Sequence, residues 1–180
     1  MSTTTKRPFR IIATVVVLVL MFATVAVAGP MKQLPFTEDL SGGSTGVVFA
    51  ENFPFGETFD GRCSTNSQML TSMAGTGIVT HMGRVSWTNQ HCVQLFYGTF
   101  SDADLVITAA NGDQLYGTFD GAMTSETSFA EIMTILGGTG RFAGASGVVS
   151  ETGSFDPITF ELNVYGEGWI SYDASDRSEP

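Results

Sequence analysis

Beyond residue 46 the chain alternates between apolar and polar positions with a period of two. Ile158, Phe160, Leu162 and Val164 fall on one side of an extended segment, and Thr159, Glu161, Asn163 and Tyr165 fall on the other. That is the signature of a strand with one buried and one wet face. Residues 76–88 alternate in the same way and are rich in β-branched side chains. Residues 47–50, 93–100, 129–136 and 145–155 continue the pattern, and 169–172 supply a last short piece. The sharpest local signal is a hairpin: residues 105–110 and 114–119 meet across Asn111-Gly112-Asp113, where Asn-Gly supplies the positive φ angles a tight turn demands. No window past the leader places apolar residues at helical spacing, and glycine recurs too often for helices of ordinary length. The expectation is an all-β fold. About eight strands at intervals of roughly 10 to 15 residues suit a closed antiparallel β-barrel, because glycines within strands allow its sharp bends and closure removes exposed edges.

The first residues follow a different rule. Lys6, Arg7 and Arg10 precede an uncharged apolar run over 11–28, which ends in Ala26-Val27-Ala28 ahead of Gly29-Pro30. This is the three-part layout of an export signal, with cleavage expected after Ala28. The run is just short of the ~20 residues of a membrane span, so an uncleaved N-terminal anchor is the alternative. No cysteine follows it, so lipid attachment is not expected. The remainder divides into a flexible leader over 29–46, a barrel domain over 47–172 and a polar tail over 173–180. The predicted location is exported, periplasmic or extracellular, with membrane contact only through the N-terminal segment if it is retained.

Charge narrows the choice of partner. The 180 residues carry a formal net charge of −10, and three of the eight basic residues precede the apolar run, leaving five against all eighteen acidic ones. Such a body is repelled by phosphate backbones, which excludes nucleic acid as the expected partner. The two cysteines, Cys63 and Cys92, both follow the leader, and in an oxidising compartment they are expected to form one disulfide. The alternatives are a reactive thiol or a metal site on His91-Cys92 with His81, but the spacing lacks the short ligand pairs of a zinc site, so no metal and no cofactor is expected.

Several motif matches lack their context. Gly138-x-Gly140-x-x-Ala143 matches a dinucleotide fingerprint, yet a β-like run follows it in place of a helix. Gly42-x-Ser44-x-Gly46 matches a nucleophile elbow that His81 or His91 with Asp60 would complete, but it sits in a glycine-rich leader. Asp102 and Asp104 with Asn111 or Asp113 lack the calcium loop's length and terminal glutamate. Glu131 carries more weight because it shares a strand face with Phe129, Met133 and Ile135. If that face points inward, burial raises the carboxyl pKa and equips it as an acid or base; if outward, it is ordinary. His81, alternating with Val79, Gly83, Val85 and Trp87, poses the same question.

The most distinctive string is Gly137-Gly138-Thr139-Gly140-Arg141-Phe142-Ala143-Gly144-Ala145-Ser146-Gly147. It resembles the Gly-Gly-Thr-Gly-x-Phe-x-Gly-Ala-x-Gly segment of the dirigent and allene oxide cyclase barrel superfamily, including its exported bacterial branch. The Ala109-Ala110-Asn111-Gly112-Asp113 hairpin, Gly77-x-x-Thr80-His81-x-Gly83 and Gly168-Trp169-Ile170 resemble the same group. The resemblance implies an eight-stranded antiparallel barrel with a central cavity and dimeric or trimeric association. Dirigent proteins guide phenoxy-radical coupling and the cyclases close an epoxide of an oxidised fatty acid, but none of their functional residues maps onto this chain one by one. Without a ligand the string still has a role: Gly137, Gly138, Gly140, Gly144 and Gly147 let the chain cross a barrel end, where Arg141 would bond loop carbonyls and Phe142 would plug the barrel.

Two functions follow as expectations. The first is a non-enzymatic barrel, a monomer or a homo-oligomer, binding an apolar or aromatic small molecule, or a protein partner, in its cavity or on its rim. The alternative is an isomerase- or cyclase-like barrel using Glu131, His81 and Tyr116 as interior polar groups. A cavity of about 300 Å³ or more lined by two of those three would favour the alternative.

Overall fold

The computed structural model describes residues 32–173. Within them the alternating segments become eight strands: β1 (Leu34–Phe49), β2 (Met69–Val79), β3 (Gly83–Gln94), β4 (Thr99–Ala109), β5 (Gln114–Met123), β6 (Ser128–Gly138), β7 (Ser146–Phe155) and β8 (Glu161–Ser171). Each pairs antiparallel with its neighbour, and β8 returns to pair with β1, so the sheet closes into an eight-stranded barrel. The all-β barrel is therefore as expected. The only helical piece among the described residues is one 3₁₀ turn, Gly140–Phe142, and no helix there is long and apolar enough to cross a membrane. The proposed signal over 1–28 and all but the first residue of the tail lie outside the described residues.

The leader boundary is corrected. Residues 34–46 belong to β1 and pair with both β2 and β8. The reason is spatial: a Cβ on Gly42 would meet Trp87 Cζ2 at 2.5 Å, and one on Gly75 would meet the same atom at 2.7 Å. Gly42, which reads as linker, is with Gly75 a wall position that admits the largest core side chain. An extra residue, Thr45, enters β1 between Ser44 and Gly46, so that Val47 and Phe49 face the interior beyond the bulge.

Other strand boundaries shift at turns. The run over 76–88 divides between β2 and β3 at a turn where His81 has φ 68°. Residues 93–100 divide at the β3–β4 turn. The strand expected from Ile158 begins at Glu161, because Asp156 Oδ1 accepts from the backbone N–H of Ile158 (2.7 Å) and Thr159 (3.1 Å) and holds them in a turn. Ile158 is consequently 86% exposed, whereas Leu162 and Val164 are buried as the alternation requires.

The two barrel ends differ. At one end, Phe142 is fully buried with Phe36 and Ile170, and its ring lies 5.0 Å from that of Tyr172. This end is stoppered. At the other end the long β1–β2 connection, 50–68, is tied down by the Cys63–Cys92 disulfide, with Cα atoms 5.8 Å apart. Arg62 donates to the Gln90 carbonyl (2.7 Å) and pairs with Asp104 (3.1 Å), while the Ser64 backbone N–H and hydroxyl donate to Asp102 (2.9 and 2.8 Å). Asp102 occupies an irregularity in β4 at φ 54°. The acidic pair once comparable to a calcium ligand set thus anchors a loop.

Candidate functional site

A cavity of about 460 Å³ occupies the barrel between the stopper and the open end. Its upper walls are apolar. Phe100 stacks edge-on to Phe119 and Phe129, with ring centroids 6.1 and 5.8 Å away. Small residues make room for these rings: a Cβ on Gly121 or Gly153 would overlap Phe100 or Phe129, respectively. At the mouth, Phe55, Phe96, Tyr97 and Ile158 project from three different connections and are exposed. An apolar rim therefore leads into an apolar chamber.

Three carboxyls meet deep in the chamber. Glu131 on β6 and Glu151 on β7 are direct cross-strand partners, and both line the cavity. Glu38 on β1 reaches them across β8, where Gly166 lies between the two strands. A Cβ there would stand 2.6 Å from Glu38 Oε1. All three carboxyls are buried, and both Glu38 oxygens are out of reach of every conventional donor. The neighbour in reach of Glu38 is the Glu151 carboxyl, which also reaches Glu131, and such pairs bond only when a proton is shared between them. Burial is the main cause that raises each group. Glu38 and Glu151 are held well above the usual carboxylate range, and Glu131 is pushed from 4.5 to about 7, with the Glu38 charge adding to its rise. At neutral pH the cluster is largely a set of neutral acids, hydrogen-bond donors in an apolar chamber.

His91, on β3, is the remaining titratable residue on the cavity wall. Its ring lies 5.3 Å from Phe119 and 5.8 Å from Phe100. Burial first, and the Arg62 charge second, push it from 6.5 down to about 4, so it is neutral at pH 7. Its Nδ1 lies 3.0 Å from Asn89 Oδ1. The amide oxygen accepts only, which assigns the hydrogen to Nδ1 and leaves Nε2 as the acceptor. Beside it, Thr71 Oγ1 and Trp87 Nε1 are buried without a partner on the same wall.

The sequence-derived candidates separate. Glu131 faces inward with Met133 and Ile135, as one of its two expected orientations required. His81 does not line the chamber: it occupies the β2–β3 turn at the stoppered end, with Nε2 3.0 Å from the Pro35 carbonyl and its ring 5.8 Å from Tyr172. The strand alternation that pointed it inward ends two residues earlier, at Val79. Tyr116 is also outside, on the outer face of β5, donating to Gln114 Oε1 at 2.9 Å. In the glycine string, Phe142 plugs the barrel as expected. Arg141 instead pairs with Asp113 (3.4 Å) and covers the Phe142 ring at 4.9 Å. Gly137, Gly140 and Gly144 have positive φ, while Gly138 and Gly147 are close-approach positions where a Cβ would strike the Gln114 and Trp169 carbonyls. Glu38, Glu151 and His91 were missed as interior groups. The signal lay in parity: Glu151 alternates with Val149, and His91 with Val85 and Trp87.

No family model and no curated protein matches the sequence. Solved structures do resemble the fold, two dirigent proteins among them. The pterocarpan synthase dirigent protein PsPTS1 superposes with a TM-score of 0.52 at 18% identity, covering 78% of this chain and 96% of that one. The pterocarpan synthase dirigent protein GePTS1 gives a TM-score of 0.51 at 16% identity, covering 81% and 94%. The closed eight-stranded barrel is thus a fold that this chain shares with these dirigent proteins.

Proposed function

We propose that this is an exported binding barrel for an apolar, largely aromatic small molecule, entering at the open end with a hydrogen-bond-accepting oxygen directed to Glu131. One observation carries the proposal: a chamber of about 460 Å³, apolar on its upper walls and sealed below, presents protonated carboxyls at its base. A molecule of drug-like size fits that volume, and a neutral carboxyl in apolar surroundings favours an oxygen acceptor over an anion. Export is supported by the basic and apolar N-terminal layout and by the disulfide. Of Glu131, His81 and Tyr116, only Glu131 lines the chamber, which supports binding over a cyclase-like reaction that uses all three.

A second function, control of a reaction's stereochemical course, is supported by the dirigent-like fold and by the carboxyl cluster. Native mass spectrometry of the protein purified from its own host tests the binding proposal. It reads mature mass, subunit count and any retained molecule together. The expected result is a mass beginning after Ala28 and an adduct lost in Val47→Trp, a substitution at the partly exposed mouth that narrows the entrance. A wild-type protein without adduct that also leaves N-phenyl-1-naphthylamine, an uncharged aromatic probe, unbound overturns it.

A further inference from the structure

The wall opposite the carboxyls carries a base. In an eight-stranded ring β3 and β7 stand four strands apart, so His91 faces Glu151 across the chamber, with Glu131 next to Glu151. His91, Glu131 and Glu151 are the titratable side chains lining it. The hydrogen bond to Asn89 fixes the His91 tautomer so that Nε2 offers a lone pair. An acid and a base thus flank a space that excludes competing charge.

We propose that the cavity isomerises an apolar carbonyl compound by proton transfer through its enol, Glu131 acting on the carbonyl oxygen and His91 Nε2 on the carbon. This rests on the binding orientation proposed above. In the first step His91 Nε2 takes a proton from the carbon next to the carbonyl. The C–H pair becomes a C=C bond, the carbonyl π pair moves to oxygen, and the oxygen takes the Glu131 proton. In the second step the imidazolium returns its proton to a carbon of the enol system, the same one or a conjugated one, and the oxygen returns its hydrogen to Glu131. No oxidant or leaving group is required, and both residues end as they began. A carboxylic acid kept neutral by an apolar site is a known way to stabilise an enolate-like oxygen.

The groups facing each residue support the assignment. Glu131 is faced by Glu151, which shares a proton with it, and by Glu38, which acts on it through its charge. His91 is faced by Arg62, Asn89 and the Phe100 and Phe119 rings, with Thr71 opposite it on β2. Among the described residues no carboxylate is paired with the imidazole to make it cationic.

The test uses the disulfide-bonded full chain and 2-tetralone, a bicyclic apolar ketone, in deuterium oxide. Probe binding is read by calorimetry, and deuterium uptake at the α carbon by mass spectrometry. Wild type is expected to bind the probe and exchange it about 10²-fold faster than buffer alone. His91→Gln and Glu131→Gln are each expected to lose most of that acceleration while still binding. Wild type alone provides a check independent of variant folding: its exchange rate should be level between pH of about 4 and about 7 and fall above it, opposite to hydroxide-driven exchange. Binding without accelerated exchange, or a rate that rises steadily through pH 7, overturns this proposal and leaves the binding proposal standing. Failure to bind overturns both.

Discussion

Exchanging Glu131 for Gln keeps the side chain's shape and removes its titration, which turns the buried cluster into a measurable pH effect. Glu131 has an ordinary pKa of 4.5 in the unfolded chain and about 7 in the barrel, so the fold prefers its protonated form. The associated stability is fully present below pH 4.5 and is lost as pH rises through about 7; the difference amounts to about 3 kcal/mol. His91 acts in the opposite sense. Its pKa falls from 6.5 to about 4 on folding, so its contribution is present above pH 6.5 and is lost, by a similar ~3 kcal/mol, as pH falls to about 4. The two slopes oppose each other across most of this range. Urea unfolding followed by tryptophan fluorescence, from pH 4.5 to 8, separates them. Wild-type stability minus that of Glu131→Gln is expected to fall with rising pH, and wild-type minus His91→Gln to rise. A flat Glu131 difference, or one that climbs with pH, refutes the placement of that carboxyl in a dry, acid-sharing cluster.

Further outcomes follow from packing. Phe142→Ala empties the stopper and should lower the unfolding free energy by about 3 to 5 kcal/mol, measured by urea titration, with Val47→Trp losing far less because it is partly exposed. Gly166→Ala forces a methyl against Glu38 Oε1 and Val149 Cγ1; a loss of about 1 to 3 kcal/mol is expected, and calorimetry should show a lower melting temperature. Replacing both Cys63 and Cys92 by Ser releases a loop closed over 29 residues and should cost about 3 to 4 kcal/mol. In the same variant, hydrogen exchange should increase over residues 50–68 more than in β5 or β6.

Legibility in the sequence tracked how local each cause is. The Asn111-Gly112 turn and the alternation over 129–136 depend on neighbouring residues, and both appear where expected. β1 was obscured because Gly42 and Gly43 look like linker, whereas Gly42 serves Trp87, distant along the chain. The site divided in the same way. Glu131 was visible from its own strand face, but the fact that it meets Glu151 and Glu38 depends on barrel closure, which joins β1 to β8 and β6 to β7. His81 misled because alternation was carried through a turn whose position depends on that residue's positive φ.

The pairing of Leu34 with Ile170 sets where the polypeptide begins and finishes its circuit. The start of β1 and the end of β8 both lie beside Phe142, on the side away from the aromatic entrance. An affinity handle, a fluorophore or a solid support joined directly before Leu34 or directly after Ser171 therefore starts on the side away from the doorway.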